Sequence, residues 1–312
     1  MKTIFNRIYK SILNSFPTSG KTVWWLLKII IPISLSVSLL QYWGIITVIA
    51  TFLAPAFSLL GLPGESAIVF ITSFFLPLYA PIAVIATLTL DLREITILAL
   101  MCLITHNLLV ETAIQKKTGS SAIIMFTLRI CASFVSAFLL NLLLPDHIGS
   151  ASVISHSIVF LNVSDMLQNW VINAGWLSLK ITLIITGLMM LQNILKEFNV
   201  LAVLSKVFAP LMRIMGLSDE SSFLWLIAQT IGLTYGSAVM IEEVKQKEIT
   251  LENANLLNYH IAINHSLLED TLLFVAIGVP AGWIIAPRFG LAIIVVWAVR
   301  GLAKIKTKNS KS

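Results

Sequence analysis

Read by hydropathy, the chain is a succession of long apolar runs separated by short polar breaks, and the runs fall into two sets of five. The first set predicts helices over 22–42, 44–60, 66–90, 95–113 and 120–144, and the second over 176–195, 200–215, 221–241, 256–275 and 279–299. Several runs reach the roughly 20 apolar residues that carry a helix across a bilayer. Asp91-Leu92-Arg93-Glu94 and Lys116-Lys117-Thr118-Gly119 separate runs of the first set, and Glu242-Glu243-Val244-Lys245-Gln246-Lys247-Glu248 is the most charged break of the second. The stretch 145–173 differs in kind: it is rich in Ser, Asn and His and has no Lys or Arg, so it reads as a linker with a short helix on the membrane surface. The pattern predicts an all-α polytopic membrane protein of about ten transmembrane helices.

The two sets repeat one another. Gly61-Leu62-Pro63-Gly64-Glu65-Ser66 agrees with Gly216-Leu217-Ser218-Asp219-Glu220-Ser221 at four of six positions, 155 residues apart, and Ala54-Pro55 with Ala209-Pro210 at the same offset. His106-Asn107-Leu108-Leu109-Val110-Glu111-Thr112 returns 159 residues later as His265-Ser266-Leu267-Leu268-Glu269-Asp270-Thr271, and Arg129 returns as Arg288 at that offset. Five spans per copy would bring the second copy into the membrane from the opposite side. Inverted repeats of this kind recur in secondary transporters, with the substrate held near the midplane where the halves meet. The expected organisation is a basic N-terminal segment (1–21), a first repeat (22–144), the linker (145–173), a second repeat (174–300) and a basic tail (301–312).

Composition sharpens the class. With 57% hydrophobic and 12% charged residues among 312, the chain cannot hide its apolar surface in a soluble core. Its net charge of +6 resides largely in the basic ends and in loops at span ends, which points to membrane orientation and not to nucleic acid. An even number of spans with basic ends places both termini in the cytoplasm of a bacterial or archaeal cell, in its cytoplasmic (inner) membrane, with the Lys-free linker outside. Cys102 and Cys131 both lie in apolar runs and imply no disulfide framework. Trp24, Trp25, Trp43 and Trp176 stand near span ends, as interfacial anchors do.

The Ala-Pro step, the Gly-Leu step, the Glu-Ser step and the following apolar run broken by Gly232, Gly236 and Ser237 resemble the Gate, or nucleoside-recognition, domain. That domain occurs twice in the membrane part of bacterial ferrous-iron transporter B proteins, and also in small sporulation-related membrane proteins. The resemblance implies transport, with ferrous iron or another divalent metal as first cargo, a nucleoside or other small organic solute as the alternative, and a non-transporting assembly partner as a third reading. No counterpart of the iron transporters' GTPase domain is expected, since no Gly-x-x-x-x-Gly-Lys-Ser/Thr loop occurs in these 312 residues. No resident cofactor and no enzymatic activity are expected, because no nucleophile–base pair, zinc-protease motif or nucleotide fingerprint is present. Expected partners are lipid, the solute or ion, and a second copy or partner protein, with no nucleic acid.

Ionisable residues at membrane depth cost about 2.5–3.5 kcal/mol on insertion scales and need partners or water. Two readings of the repeated motif stand side by side. One is structural: Glu111 pairs with Arg129, and Asp270 with Arg288. The other is a substrate or ion site built from His106, Glu111, His265, Glu269 and Asp270. On a continuous helix five residues turn by about 140°, which separates His106 from Glu111, whereas His265 and Glu269 share a face. Cys102 and His106, four apart, also share one, so the metal-ligand candidates are His265, Glu269, His106 and Cys102. Glu65 and Glu220 open the third span of each repeat, as helix caps or as broken-helix tips facing a cavity. Gln229 and Thr234 make one side of the eighth span polar, for helix–helix hydrogen bonds or for a polar solute. His147 and His156 read as solvated linker residues.

Overall fold

The computed structural model describes residues 2–146, 148, 162–230 and 232–309. Most of the linker, with His147 and His156, lies outside the described residues, as do the side chains of Thr234 and Tyr235. All regular structure among the described residues is helical. The first half comprises α1 (Lys2–Tyr42), α2 (Ile45–Ser58), α3 (Ser66–Phe75), α4 (Tyr79–Ile85), α5 (Leu92–Thr105), α6 (Leu108–Lys117) and α7 (Ala122–Leu143). The second comprises α8 (Val163–Glu197), α9 (Val200–Ile214), α10 (Ser221–Thr230), α11 (Leu233–Gln246), α12 (Leu251–Ile263), α13 (Glu269–Val275) and α14 (Ala281–Asn309). The halves correspond element by element, in the same order. Among the described residues, four stretches are long and apolar enough to cross a membrane: Leu92–Lys117, Ala122–Leu143, Val163–Leu195 and Ala281–Ile305.

The basic lead-in does not form a separate segment. Pro17 and Pro32 each remove a backbone donor, yet α1 runs through both as one helix. It lies antiparallel to α8, held by Arg7 Nε donating to Glu197 Oε1 (2.7 Å), Asn193 Nδ2 to Ser15 Oγ (2.9 Å) and Trp170 Nε1 to Ser34 Oγ (3.1 Å). The long pair brings the first helices of the two halves together along their length.

The spans expected over 66–90 and 221–241 are each interrupted and double back as hairpins. In the first half Pro77 lacks the donor to continue α3, and it forces the preceding Leu76 into extended backbone (φ −131°, ψ 156°). The α3 carbonyl end then faces the end of α5: Ser73 Oγ and Thr105 Oγ1 are 3.0 Å apart, so α3 and α5 run side by side in the same direction. At the opposite end, Arg93 Nη2 donates to Asn141 O and Oδ1 (2.7 and 2.8 Å), and Gly61 sits against both of these side chains. The chain therefore enters and leaves α3/α4 at the end where α5 starts. In the second half Gly232, at φ 103°, makes the tip between α10 and α11 in backbone that glycine adopts freely. Its base is tied to α14 by Arg300 Nη1 donating to Gly216 O (2.8 Å) and Trp297 Nε1 to Ile214 O (2.9 Å). Asn141 and Arg300 are 159 residues apart, so the two hairpin bases are anchored at equivalent places.

The first hairpin approaches α2 without space to spare: a Cβ at Gly64 would lie 2.0 Å from the Ala50 carbonyl oxygen. Backbone cannot step aside as a flexible side chain can. Gly64→Ala is expected to destabilise the protein by about 1–3 kcal/mol or more. Gly20→Ala, where a Cβ meets nothing within 4 Å, is the control and should be neutral or stabilising. Thermal unfolding of the two variants in detergent checks this.

Candidate metal centre at the paired helix breaks

The repeated histidine motif sits where a helix stops and restarts. α5 ends at Thr105, His106 turns extended (ψ 150°), and Asn107 adopts left-handed backbone (φ 48°) before α6 begins. Ser266, its counterpart, does the same at φ 46°, between α12 and α13. Neither break holds a proline or glycine, so side chains and neighbouring backbone must satisfy the freed groups. Asn107 N–H donates to Ser73 O (2.9 Å), and Ser266 N–H to Ala228 O (2.9 Å), so each break docks on the first helix of its hairpin. Arg129, from α7, donates through Nε to Ile104 O and through Nη2 to His106 O, both at 2.7 Å. In the other half Arg288 Nη2 reaches His265 O at 3.4 Å.

The two breaks meet. His106 Nε2 and His265 Nε2 are 3.2 Å apart, and both rings are buried. Each Nδ1 faces the backbone carbonyl four residues back, Cys102 O at 3.2 Å and Ile261 O at 2.7 Å. A carbonyl accepts only, so in the neutral ring the proton belongs on Nδ1 and Nε2 keeps its lone pair. Two lone pairs thus face each other across a gap in which only a cation, a proton or a metal ion, makes the contact favourable. The carboxylates reinforce this. Glu111 Oε1 is 3.5 Å from His106 Nε2, Glu111 Oε2 is 3.4 Å from His265 Nε2, and Asp270 Oδ2 is 3.5 Å from His106 Nε2. Asp270 Oδ2 receives no hydrogen bond among the described residues.

This donor set has the form of a metal site. Ligand atoms of His106, His265 and Asp270 all lie within 4.8 Å of one another. Two nitrogens bound to one ion at about 2.0–2.1 Å and a tetrahedral angle would be about 3.3 Å apart, close to the observed 3.2 Å. The Nδ1–H to carbonyl bonds fix ring orientation as the outer shell of metal-ligating histidines does.

Other candidates lie elsewhere. Glu269, expected to join His265 on one helical face, instead accepts from Tyr79 Oη at 2.5 Å, because the helix is broken between the two and only Asp270 turns inward. Cys102 contributes its carbonyl to His106, while its thiol faces Ser73 in the apolar core. Glu111 pairs with Arg129 at 2.8 Å, but no ion pair joins Asp270 to Arg288 among the described residues, and Arg288 Nε and Nη1 have no hydrogen-bond partner there. Glu65 and Glu220 stand at the hairpin bases, a helix length from the breaks, without capping through the Glu65 side chain. Gln229 Nε2 donates to Asn264 O at 2.6 Å, and Thr234 belongs to α11, its side chain outside the described residues.

Tyr79 escapes sequence reasoning; the only signal is a phenol between two prolines, Pro77 and Pro81, in an apolar run. Its bond to Glu269 ties the first hairpin to the second half's break. Tyr79→Phe is expected to lower stability by about 1–3 kcal/mol, since a buried hydrogen bond to a carboxyl group is lost and Glu269 is left without it. Denaturation of the variant beside wild type measures this.

The sequence pattern of the Gate family, described as nucleoside recognition, matches residues 23–142, from within α1 almost to the end of α7. An uncharacterized membrane protein, YvoD of Bacillus subtilis (strain 168), is 30% identical over 293 residues, covering 93% of this chain and 94% of that protein. The chain belongs to the Gate family. It is accordingly a multi-pass membrane protein, and the relative is similar along both halves and both helix breaks of this Gate protein. No solved structure matches it.

Proposed function

We propose that this Gate protein is a membrane transporter that carries a divalent metal ion, ferrous iron first among the candidates, through the centre formed by His106, His265, Asp270 and Glu111. The observation that carries this reading is the opposition of two imidazole nitrogens at 3.2 Å with acid oxygens beside them. Imidazole and carboxylate together suit ferrous iron, manganese and zinc. A charged cluster this deep in a membrane protein marks an ion path more readily than a fold-stabilising device.

The hairpins favour a layout of six crossings in place of ten. Each half would supply three: α1, α5/α6 and α7, then α8, α12/α13 and α14. The α3/α4 and α10/α11 hairpins would enter from opposite faces, with α2 and α9 lying along the surface. Three crossings per half is still odd, so the halves stay inverted, and both termini remain on the cytoplasmic side of a bacterial or archaeal inner membrane. This layout also moves Arg213 to the cytoplasmic side, joining Lys116, Lys117, Lys245 and Lys247, as the positive-inside rule asks. There Arg213 is ion-paired with Asp219, and its hydrogen bonds and charge hold that carboxyl below its usual range.

The test is ion flux into vesicles containing the purified protein, followed with a metal-sensitive dye for ferrous iron, manganese and zinc. Flux above that of empty vesicles, lost when His106 and His265 are replaced, is expected. Flux that is absent, or unchanged by those replacements, would overturn the metal reading; a nucleoside flux in the same vesicles would replace it.

A further inference from the structure

The two halves fill the space between hairpin and broken helix differently. In the first, Phe70 and Phe74 of α3 stack edge-on at 4.6 Å, and Phe70 packs against Phe134 of α7 at 5.3 Å. The polar neighbours there are satisfied: Thr105 Oγ1 donates to Met101 O (2.8 Å) and lies 3.0 Å from Ser73 Oγ, which donates to Phe70 O (2.6 Å). The repeat offsets place Trp225 and Gln229 of α10 where Phe70 and Phe74 stand, and His260 and Asn264 where Met101 and Thr105 stand.

All four second-half residues are buried: 4% of Trp225 and Gln229 is exposed, and none of His260 and Asn264. Trp225 and His260 have ring centroids 6.1 Å apart, and one helical turn on, Gln229 Nε2 donates to Asn264 O. The two rungs climb towards His265, the residue after Asn264. Among the described residues Trp225 Nε1, both ring nitrogens of His260, Gln229 Oε1 and both amide atoms of Asn264 have no hydrogen-bond partner. Groups this deeply buried normally find one. Phe208 and Phe289 pack on Trp225 (5.7 and 6.4 Å) and Phe289 on His260 (5.9 Å), so what sets the second half apart is the concentration of unpartnered polar atoms beside the metal centre, which points to a missing polar occupant.

We propose that Trp225, Gln229, His260 and Asn264 form a second station for the cargo, which holds a hydrated divalent cation before it reaches the imidazole pair. The identity of the ion rests on the proposed function above. The set is neutral and mixed. Gln229 Oε1, Asn264 Oδ1 and a His260 ring nitrogen accept from the hydrogens of coordinated water, while Trp225 N–H and the Asn264 amide donate to waters of the outer shell. A bare ion gains more at the carboxylates of the centre; a hydrated one is matched by this wall. Access to the centre then runs along the α10/α11 hairpin, and the equivalent route along α3/α4 is closed by Phe70 and Phe74.

The test uses full-length protein with Cys102→Ala and Cys131→Ser, carrying one cysteine at a time as Gln229→Cys, Asn264→Cys, Phe74→Cys or Thr105→Cys. Modification by a small cationic methanethiosulfonate is followed by intact-protein mass. The second-half positions are expected to react at least tenfold faster than their first-half counterparts, and Mn2+ to slow them severalfold. Equal rates in the two halves overturn the station, and a rate difference that Mn2+ does not affect overturns the cation as its ligand. His260→Phe supplies a measurement free of labelling: Mn2+ flux should fall at least tenfold while equilibrium Mn2+ binding, dominated by the centre, changes less than twofold. Unchanged flux in that variant also overturns the station. Because the labelling comparison needs no metal, a wild type that binds no Mn2+ would overturn the metal reading of both sites while the asymmetry between the halves is still measured.

Discussion

A His106→Gln/His265→Gln variant is expected to bind Mn2+ or Fe2+ at least a hundredfold more weakly than wild type, while its metal-free form melts no lower. The first half of this expectation follows from ligand count. The centre offers two imidazoles and two carboxylates, and glutamine amides replace the better nitrogen ligands by poor oxygen ones; a hundredfold corresponds to about 2.8 kcal/mol. The second half follows from what the imidazoles do without metal. Their Nε2 atoms oppose each other at 3.2 Å. Amide N–H groups in their place could donate to Glu111 and to Asp270 Oδ2, which lacks a donor among the described residues. The substitution thus removes a conflict along with a ligand pair. Thermal melting over a metal titration reads both quantities. A metal-free melting point several degrees lower, with the metal response intact, would return the histidines to a purely structural role.

That pair was legible in the sequence only as a recurrence. The offset of 159 between His106 and His265, Glu111 and Asp270, and Arg129 and Arg288 identified the residues that converge. Their geometry was hidden, because helical spacing presumes a continuous helix. On such a helix His106 and Glu111 diverge; in the protein the break at Asn107 folds them to 3.5 Å. The same error, with opposite sign, favoured Glu269 over Asp270 beside His265. No proline or glycine marks either break, since it is made by long-range partners: Arg129 taking two carbonyls, and Ser73 and Ala228 accepting the next amides. The hairpins were hidden for a related reason. Runs 66–90 and 221–241 have the length and hydropathy of a crossing; Pro77, Pro81, Gly232 and Gly236 favoured an interruption but did not say that each run doubles back. The all-helical membrane class and the twofold repeat, which depend on composition and recurrence alone, were readable without any of this.

Removing Arg129 should have the largest effect on folding of any single substitution in the centre. Its guanidinium is fully buried, ion-paired to Glu111 at 2.8 Å, and donates to the last carbonyls of α5 through two further nitrogens. Arg129→Ala leaves a buried carboxylate without its counter-charge and two carbonyls without donors. Breaking a buried pair from one side costs about 3–5 kcal/mol, a large part of the 5–15 kcal/mol that holds a typical domain together. The variant is expected to be lost from the monodisperse fraction on size-exclusion chromatography. Arg288→Ala is expected to cost less than half as much, because among the described residues the hydrogen bond of Arg288 is a 3.4 Å contact to His265 O, two of its nitrogens have no hydrogen-bond partner, and no ion pair joins it to Asp270. Arg129→Lys separates charge from geometry. A single ammonium can meet Glu111 but cannot also reach Ile104 O and His106 O, so it should recover less than half of the lost stability. Full recovery by lysine would mean that charge balance alone fixes the break, and that the carbonyls at the end of α5 are satisfied in some other way.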